Sequence, residues 1–175
     1  MQTNYHHVTV VPFISSLKGL GTVLEKTQIF AQEKGMSDTD VLDARLAPDM
    51  FPLVKQVQIA TDNARNTAAQ LAAIEKPVYE DTETTIAQLI ERIQKTVTFL
   101  ESLSEDQFAQ ADTRKVVMSY FPGKYFKPEE FVAMFGLPNF YFHVVTAYGI
   151  ARHLGVQIGK GDYLGNVPMY DMETM

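Results

Sequence analysis

Two polar side chains whose types could do chemistry lie four residues apart in the C-terminal half of the chain, at Asn139 and His143. Residues with this spacing lie on the same face of a helix, one turn above the other. An imidazole is a metal ligand or an acid–base group, and a carboxamide both donates and accepts hydrogen bonds. The pair therefore predicts a polar site on this helix. The alternatives are a partly buried, hydrogen-bonded His143 and an Asn139 that caps the start of its helix.

Two further residues are candidates for the same site. Gln56 lies about 60° from Leu53 around the second long helix, so its side chain is able to enter a bundle cavity from the edge of the apolar face. A solvated Gln56 is the alternative. Tyr141 and Tyr148 lie seven residues apart on one side of the last helix, a pattern that lines a pocket or a dimer seam, or belongs to ordinary packing. Gln56, Asn139, Tyr141 and His143 are therefore the candidate ligand-binding residues.

Four long amphipathic segments position these residues. The first helix begins near Tyr5 or near Pro12, and the second follows residue 52 with a row of alanines that implies close packing against a neighbour. The third is the most regular, with apolar residues at helical spacing from residue 86 to residue 103. In the fourth, Pro138 suits the first turn and Gly155 suits the C-terminal end. Short connector helices are predicted at residues 38–45 and 130–135.

Residues 115–127 are rich in β-branched and aromatic side chains around Pro122 and Gly123, which predicts a small β-hairpin or an extended loop. Residues 156–175 contain several glycines and a proline, which predict an irregular tail. We therefore expect a single all-α domain over residues 1–175, a four-helix bundle with its core at about 5–155. Such a bundle has short connector helices and room for a small hairpin insertion.

Composition narrows the function classes. The chain has 175 residues, 46% hydrophobic and 21% charged, as in ordinary soluble domains. No apolar run approaches the roughly 18 residues of a membrane span, and no signal peptide is expected. The absence of cysteine excludes disulfides and cysteine nucleophiles and suits a cytoplasmic location. A net charge of −6 disfavours binding to nucleic acid or anionic membranes.

No GxSxG, HExxH or Walker motif is present, and the glycines at 159 and 161 lack the strand–turn–helix context of a nucleotide site. Two stretches are distinctive instead: LAPDMFPLVKQVQIATDNA at residues 46–64 and LPNFYFHVVTAYGIARHLGVQIGKGDYLG at residues 137–165. They resemble an uncharacterised bacterial family within the DinB/YfiT-like superfamily, and the resemblance extends from about Tyr5 to Gly165.

This resemblance implies a DinB-like four-helix bundle that is often homodimeric. Members of the superfamily typically hold a divalent metal with one histidine from the second helix and two from an HxxxH pair in a later helix. Some of them transfer low-molecular-weight thiols such as bacillithiol or mycothiol. Here the HxxxH pair corresponds to Asn139 and His143, and the second helix offers Gln56 or Gln58 at the place of its histidine. One histidine with amides is a poor ligand set for zinc or nickel.

Three hypotheses follow. The first is a small-ligand-binding or non-catalytic bundle protein with a degenerate metal site, forming a homodimer. The second is a metal-dependent thiol transferase or hydrolase in which His143 is one ligand and His6, His7, Gln56, Asn139 or Asp49 supplies others. The third is a structural interaction module. The fold alone does not choose between them.

Overall fold

A computed structural model describes residues 3–172, so the predicted domain bounds at residues 1 and 175 lie outside the described residues. The α-helices are α1 Val11–Lys34, α2 Asp38–Leu42, α3 Leu53–Ala72, α4 Ile86–Glu101, α5 Pro128–Phe131, α6 Leu137–Leu154 and α7 Lys160–Leu164. Turns of 3-10 helix follow α4 at Glu105–Phe108 and Ala111–Thr113.

The four long helices form a square bundle, which confirms the predicted all-α fold. Helix α1 packs against α4 and α6, and α3 packs against the same two helices from the opposite corner. The small residues Ala60, Ala64 and Ala68 of α3 are completely buried, so their row allows α4 and α6 to approach closely. Helix α3 therefore has two lateral flanks, one facing each neighbour, and both carry buried polar side chains.

A proline follows a π-helical turn at the start of both α1 and α6. The turns span His6–Val10 and Val132–Gly136. In each, the backbone N–H of the residue that precedes the proline donates to the carbonyl oxygen five residues earlier. The wider turn accommodates a residue that has no N–H to donate. The first helical element therefore extends back to His6, so the prediction of a start near Tyr5 describes it better than a start at Pro12.

Residues 115–127 do not form the predicted β-hairpin. Val116 and Phe126 make a single antiparallel bridge, in which their backbone N–H groups donate to each other's carbonyl oxygens at 3.1 and 2.9 Å. No β-strand occurs among residues 3–172. The ring of Phe126 instead lies 5.8 Å from the rings of both Phe131 and Phe135. The aromatic residues of this segment, which suggest strands in the sequence, instead pack into a cluster of rings over the bundle.

The prediction of an irregular tail over residues 156–175 is wrong for residues 160–164, which form α7. This helix lies against α1 at Gly19, where a Cβ atom would overlap the carbonyl oxygen of Tyr163. Asp162 accepts a hydrogen bond from Gly159 N–H at 2.8 Å and pairs with Lys26 at 2.6 Å. Five residues are too few for a stable isolated helix, so contact with α1 decides its formation.

The continuous helical segment His6–Lys34 is long and apolar enough, by length and composition, to cross a membrane, although the sequence predicts no membrane span. Half of its most apolar window is buried inside the protein, at 50%. Phe13, Leu17, Leu20 and Leu24 of this segment have almost no exposed surface. The segment is therefore a core helix of the bundle.

Candidate functional site

Gln56 and His143 meet between α3 and α6. Gln56 Oε1 lies 2.7 Å from His143 Nδ1, and Gln56 Nε2 donates a hydrogen bond to the carbonyl oxygen of Phe51 at 2.9 Å. Because Gln56 Nε2 donates to the Phe51 carbonyl, it is Gln56 Oε1 that faces the imidazole. An amide oxygen only accepts, so His143 Nδ1 must carry the proton. Gln56 is buried rather than solvated, with 1% of its surface exposed. The structure thus brings together two of the four residues that the sequence singled out.

Burial lowers the pKa of His143 below its ordinary value, because an imidazolium would lose its hydration there. The side chain is therefore neutral at pH 7, and Nε2 is the ring atom with a free lone pair. Within residues 3–172, no group of three or more histidine, cysteine, aspartate or glutamate side chains is placed to hold a metal ion. The donor set around His143 therefore does not fit the zinc or nickel centre that the resemblance implies.

The other proposed ligands lie elsewhere or make other contacts. His6 Nε2 lies 3.1 Å from the carbonyl oxygen of Leu103, and its ring packs edge-on against Phe108 at 5.4 Å. His7 and Asp49 are exposed. Neither histidine of the N-terminal pair completes a site with His143.

Asn139 and Tyr141 point in different directions from α6. Two residues along a helix differ by about 200°, so the two side chains lie on nearly opposite sides. Tyr141 is half-buried and packs its ring 5.3 Å from Phe140. Asn139 lines a cavity of about 180 Å³ beside α3. The predicted four-residue site is therefore divided into a buried pair, a cavity residue and a packing tyrosine.

Two residues that sequence reasoning missed, Asn63 and Asn66, share the wall of this cavity with Asn139. Asn63 is only 8% exposed, and the Oδ1 atoms of both asparagines are buried without a hydrogen-bond partner. A spacing signal exists for them: Gln56, Asn63, Asn66 and Gln70 are separated by seven, three and four residues. That periodicity places four amides along one flank of α3, the flank that faces α6.

The irregular segment after the 3-10 turns covers one end of the cavity. Met118 and Tyr120 line it together with Asn66, and the same three residues also line an adjoining cavity of about 470 Å³. Gln70 fixes this segment to α3, because its Oε1 accepts the backbone N–H of Val117 at 3.1 Å. The two cavities together form a groove along α3.

A second polar network shares Asp62 with the cavity wall and extends to the flank of α3 that faces α4. The buried guanidinium of Arg92 donates to Asp62 at 2.7 Å, to Glu83 at 2.8 Å and to Thr61 at 2.8 Å. It also donates to the carbonyl oxygen of Glu80 at 3.1 Å and lies 3.1 Å from Asp81. Four of its five N–H groups donate these hydrogen bonds, and the nitrogen that donates to Asp62 is also the one that pairs with Asp81. Arg92 therefore holds the extended segment at residues 80–83 against α3 and α4.

Burial by itself would raise the pKa of Glu83, but hydrogen bonds from Arg92 and Gln58 outweigh it and hold that pKa below its usual value. Arg65 donates to Asp62 at 2.6 Å, and its guanidinium lies 3.9 Å from the ring centre of Tyr79. Two arginines thus share the Asp62 carboxylate. Lys55 pairs with Asp81 at 2.6 Å, so three cations face three carboxylates in this structural brace.

Helical content and packing order define the class, an all-α bundle of four long helices, and among residues 3–172 no histidine triad is placed to hold a metal ion. A crystal structure of a DinB family member protein from Shewanella denitrificans is similar to this chain, with 41% sequence identity and a TM-score of 0.91. The match covers 97% of this chain and 99% of that one. A family model described as a domain of unknown function, DUF1993, matches residues 5–164, so the chain belongs to that family. No curated protein matches the chain.

Proposed function

We propose that this protein is a non-catalytic, small-ligand-binding member of the DinB-like bundles, and that its ligand site is the cavity lined by Asn63, Asn66 and Asn139. The observation that carries the proposal is Asn63, which lines the cavity and whose Oδ1 is buried without a hydrogen-bond partner, so that rotation of the amide would present this oxygen to a ligand. A buried polar atom without a partner costs about 1–3 kcal/mol, and native proteins contain few of them. A ligand that completes these hydrogen bonds would offset that cost.

The Gln56–His143 pair supports a role other than metal chemistry. Gln56 uses both ends of its amide within the protein, so it is not available as a ligand without breaking two hydrogen bonds. His143 then offers one nitrogen lone pair, whereas metal sites in proteins use three or four donors. We assign the pair a structural role, joining α3 to α6 beside the cavity.

We further propose a cytoplasmic homodimer. Net charge and the absence of cysteine support the location. For the dimer, Phe142 and Val145 lie three residues apart on the outer side of α6, and both are exposed. Leu46, which precedes α3, is also exposed and lies beside Gly149 of α6. Apolar patches of this kind often mark protein–protein interfaces, and a two-fold interface needs only one such patch.

The ligand site is tested with a library of small fragments and two proteins, the native chain and Asn63→Leu. We expect fragments that raise the melting temperature of the native chain and lose that effect in the variant. The variant itself should fold, because Asn63 Oδ1 gives up no hydrogen bond within the protein. A complete absence of fragments with this pattern would contradict the proposal.

The metal alternative is tested by elemental analysis of protein purified without a histidine tag, before and after incubation with zinc, nickel and manganese. We expect no stoichiometric metal. Stoichiometric metal that His143→Ala abolishes would instead support a metal-dependent thiol transferase or hydrolase.

Sedimentation at micromolar concentration tests the dimer, with Phe142→Glu as the variant expected to be monomeric.

A further inference from the structure

The charges around the cavity of Asn63, Asn66 and Asn139 are already balanced. Asp62 lines it, and one oxygen of this side chain accepts from Arg65 at 2.6 Å and from Arg92 at 2.7 Å. Those arginines belong to the brace that extends to the flank of α3 facing α4. A charged ligand confined to this cavity would therefore meet no free counter-charge among its lining residues and would lose its hydration on entry, whereas Glu75 and Lys76 line the adjoining cavity of about 470 Å³.

The remaining polar wall is dominated by carboxamides. Asn63 and Asn66 are three residues apart, so their side chains are neighbours on adjacent turns of α3. Asn139 approaches from α6. A carboxamide carries a donor and an acceptor side by side, and rotation of the amide exchanges their positions. A ligand that also carries a donor next to an acceptor is matched in either orientation.

The size and the apolar wall limit the ligand further. A cavity of about 150 Å³ is known to hold one benzene ring, so this part of the groove, at about 180 Å³, holds one ring, and a substituent would extend toward the adjoining cavity of about 470 Å³. Ile59, Phe131 and Tyr120 supply apolar and aromatic surface on the same wall. Aromatic side chains favour flat ligands, which stack or pack edge-on against them.

We propose that this cavity binds a small uncharged ring that carries a planar amide, with the amide hydrogen-bonded to Asn63 and Asn66 and the ring against Tyr120 and Phe131. Aryl carboxamides and lactam-containing heterocycles belong to this chemical class. The inference rests on the proposed ligand-binding function and specifies its ligand.

The test compares benzamide, benzoate and benzylamine, which share a ring and differ in the charge and hydrogen-bonding pattern of one substituent. Affinities are measured by calorimetry or ligand-observed NMR at pH 7.5. We expect benzamide to bind at least about tenfold more tightly than either charged analogue, because a site lined by amides leaves its own groups unpaired when the analogue does not match. Chemical shifts of the side-chain amides locate the site.

Two variants connect the binding to this cavity. Asn66→Leu should weaken benzamide binding by at least about tenfold, since each factor of ten corresponds to the loss of roughly one good hydrogen bond. Gln32→Leu removes an exposed carboxamide from α1, outside the cavity, and should leave the affinity unchanged. Unchanged unfolding curves of both variants show that the comparison is between folded proteins.

The outcomes separate the ligand class from the function. If benzoate or benzylamine binds as tightly as benzamide, and Asn66→Leu abolishes that binding, the amide-specific ligand class is wrong while a ligand site in the cavity stands. If none of the three binds but a fragment without a planar amide does so in an Asn66-dependent way, the ligand class is again wrong. If no fragment of any kind binds in the cavity, both the ligand class and the proposed function fall.

Discussion

Replacing Gln56 with methionine tests whether its pair with His143 stabilises the bundle. The change removes the hydrogen bond to His143 Nδ1 at 2.7 Å and the one donated to the Phe51 carbonyl at 2.9 Å. His143 is 7% exposed, so water has little access to the N–H that loses its acceptor. An unsatisfied buried donor costs about 1–3 kcal/mol, and the part-buried carbonyl adds about 1 kcal/mol at most. We expect the free energy of unfolding to fall by about 2–4 kcal/mol.

The matched control is Asn63→Leu, seven residues further along the same side of α3. Asn63 is also buried, at 8% exposed, but its Oδ1 has no hydrogen-bond partner. Removing it strands no group of the protein, so we expect the free energy of unfolding to change by no more than about 0.5 kcal/mol, or to rise. The contrast separates a buried amide that stabilises the fold from one that the fold does not need.

Urea denaturation followed by circular dichroism measures both variants. With a slope of about 2 kcal/mol per molar urea, Gln56→Met should move the midpoint down by about 1–2 M. The slope itself should not change. If Gln56→Met is as stable as the native chain, or if Asn63→Leu is equally destabilised, the assignment of structural and ligand-binding roles to these two amides is refuted.

Three further predictions concern the rest of the molecule. Arg92→Lys should lower the free energy of unfolding by about 2 kcal/mol or more, because an ammonium cannot serve five acceptors, and protease should then cleave the extended segment at residues 77–85. Cleavage no faster than in the native chain would contradict the role of this brace. Gly21→Ala should raise the melting temperature, since its Cβ meets Ile93 at an ordinary 3.9 Å and alanine favours a helix by about 1 kcal/mol. Gly19→Ala should lower it by displacing α7, and a rise in both variants would show that α7 is not docked there. Burial lowers the pKa of His143, so the unfolded chain takes up its proton first as the pH falls. The stability from this group is complete above about pH 6.5 and is lost as the pH falls toward the folded-state pKa. Urea midpoints measured from pH 7.5 downward should therefore fall less steeply in His143→Gln, and identical slopes would exclude a buried neutral His143.

Much of the fold could be predicted because its signals are local. The apolar stripes of α1, α3, α4 and α6 follow from helical periodicity. Pro138 and Gly155 mark the ends of α6, and Gly155 adopts the left-handed conformation, with a φ of 102°, that a helix C-terminus favours. The β-hairpin alternative for the aromatic segment and the irregular tail at residues 160–164 are wrong for the same reason. The rings of Phe126 and its neighbours, and the backbone of α7 at Gly19, are placed by contacts with distant parts of the chain.

The same difference between local and long-range information applies to the candidate site. Sequence alone indicated that Gln56 lies at the edge of an apolar face and that Asn139 and His143 share a helix face, because both statements depend only on spacing. It did not indicate that Gln56 forms a hydrogen bond with His143 while Asn63 Oδ1 has no hydrogen-bond partner. Those outcomes depend on α6 and on the segment after the 3-10 turns, which are far along the chain from α3.

The sequence by itself thus determined a four-helix bundle with polar groups beside its core, since helix periodicity and the stereochemistry of proline and glycine are properties of short segments. The tertiary structure decided which of those polar groups are satisfied, which face a cavity and which balance charge. Burial and hydrogen bonding depend on the groups that distant helices bring alongside, and so does the pKa of His143. The function proposed here therefore rests on the long-range packing of α3 against α6.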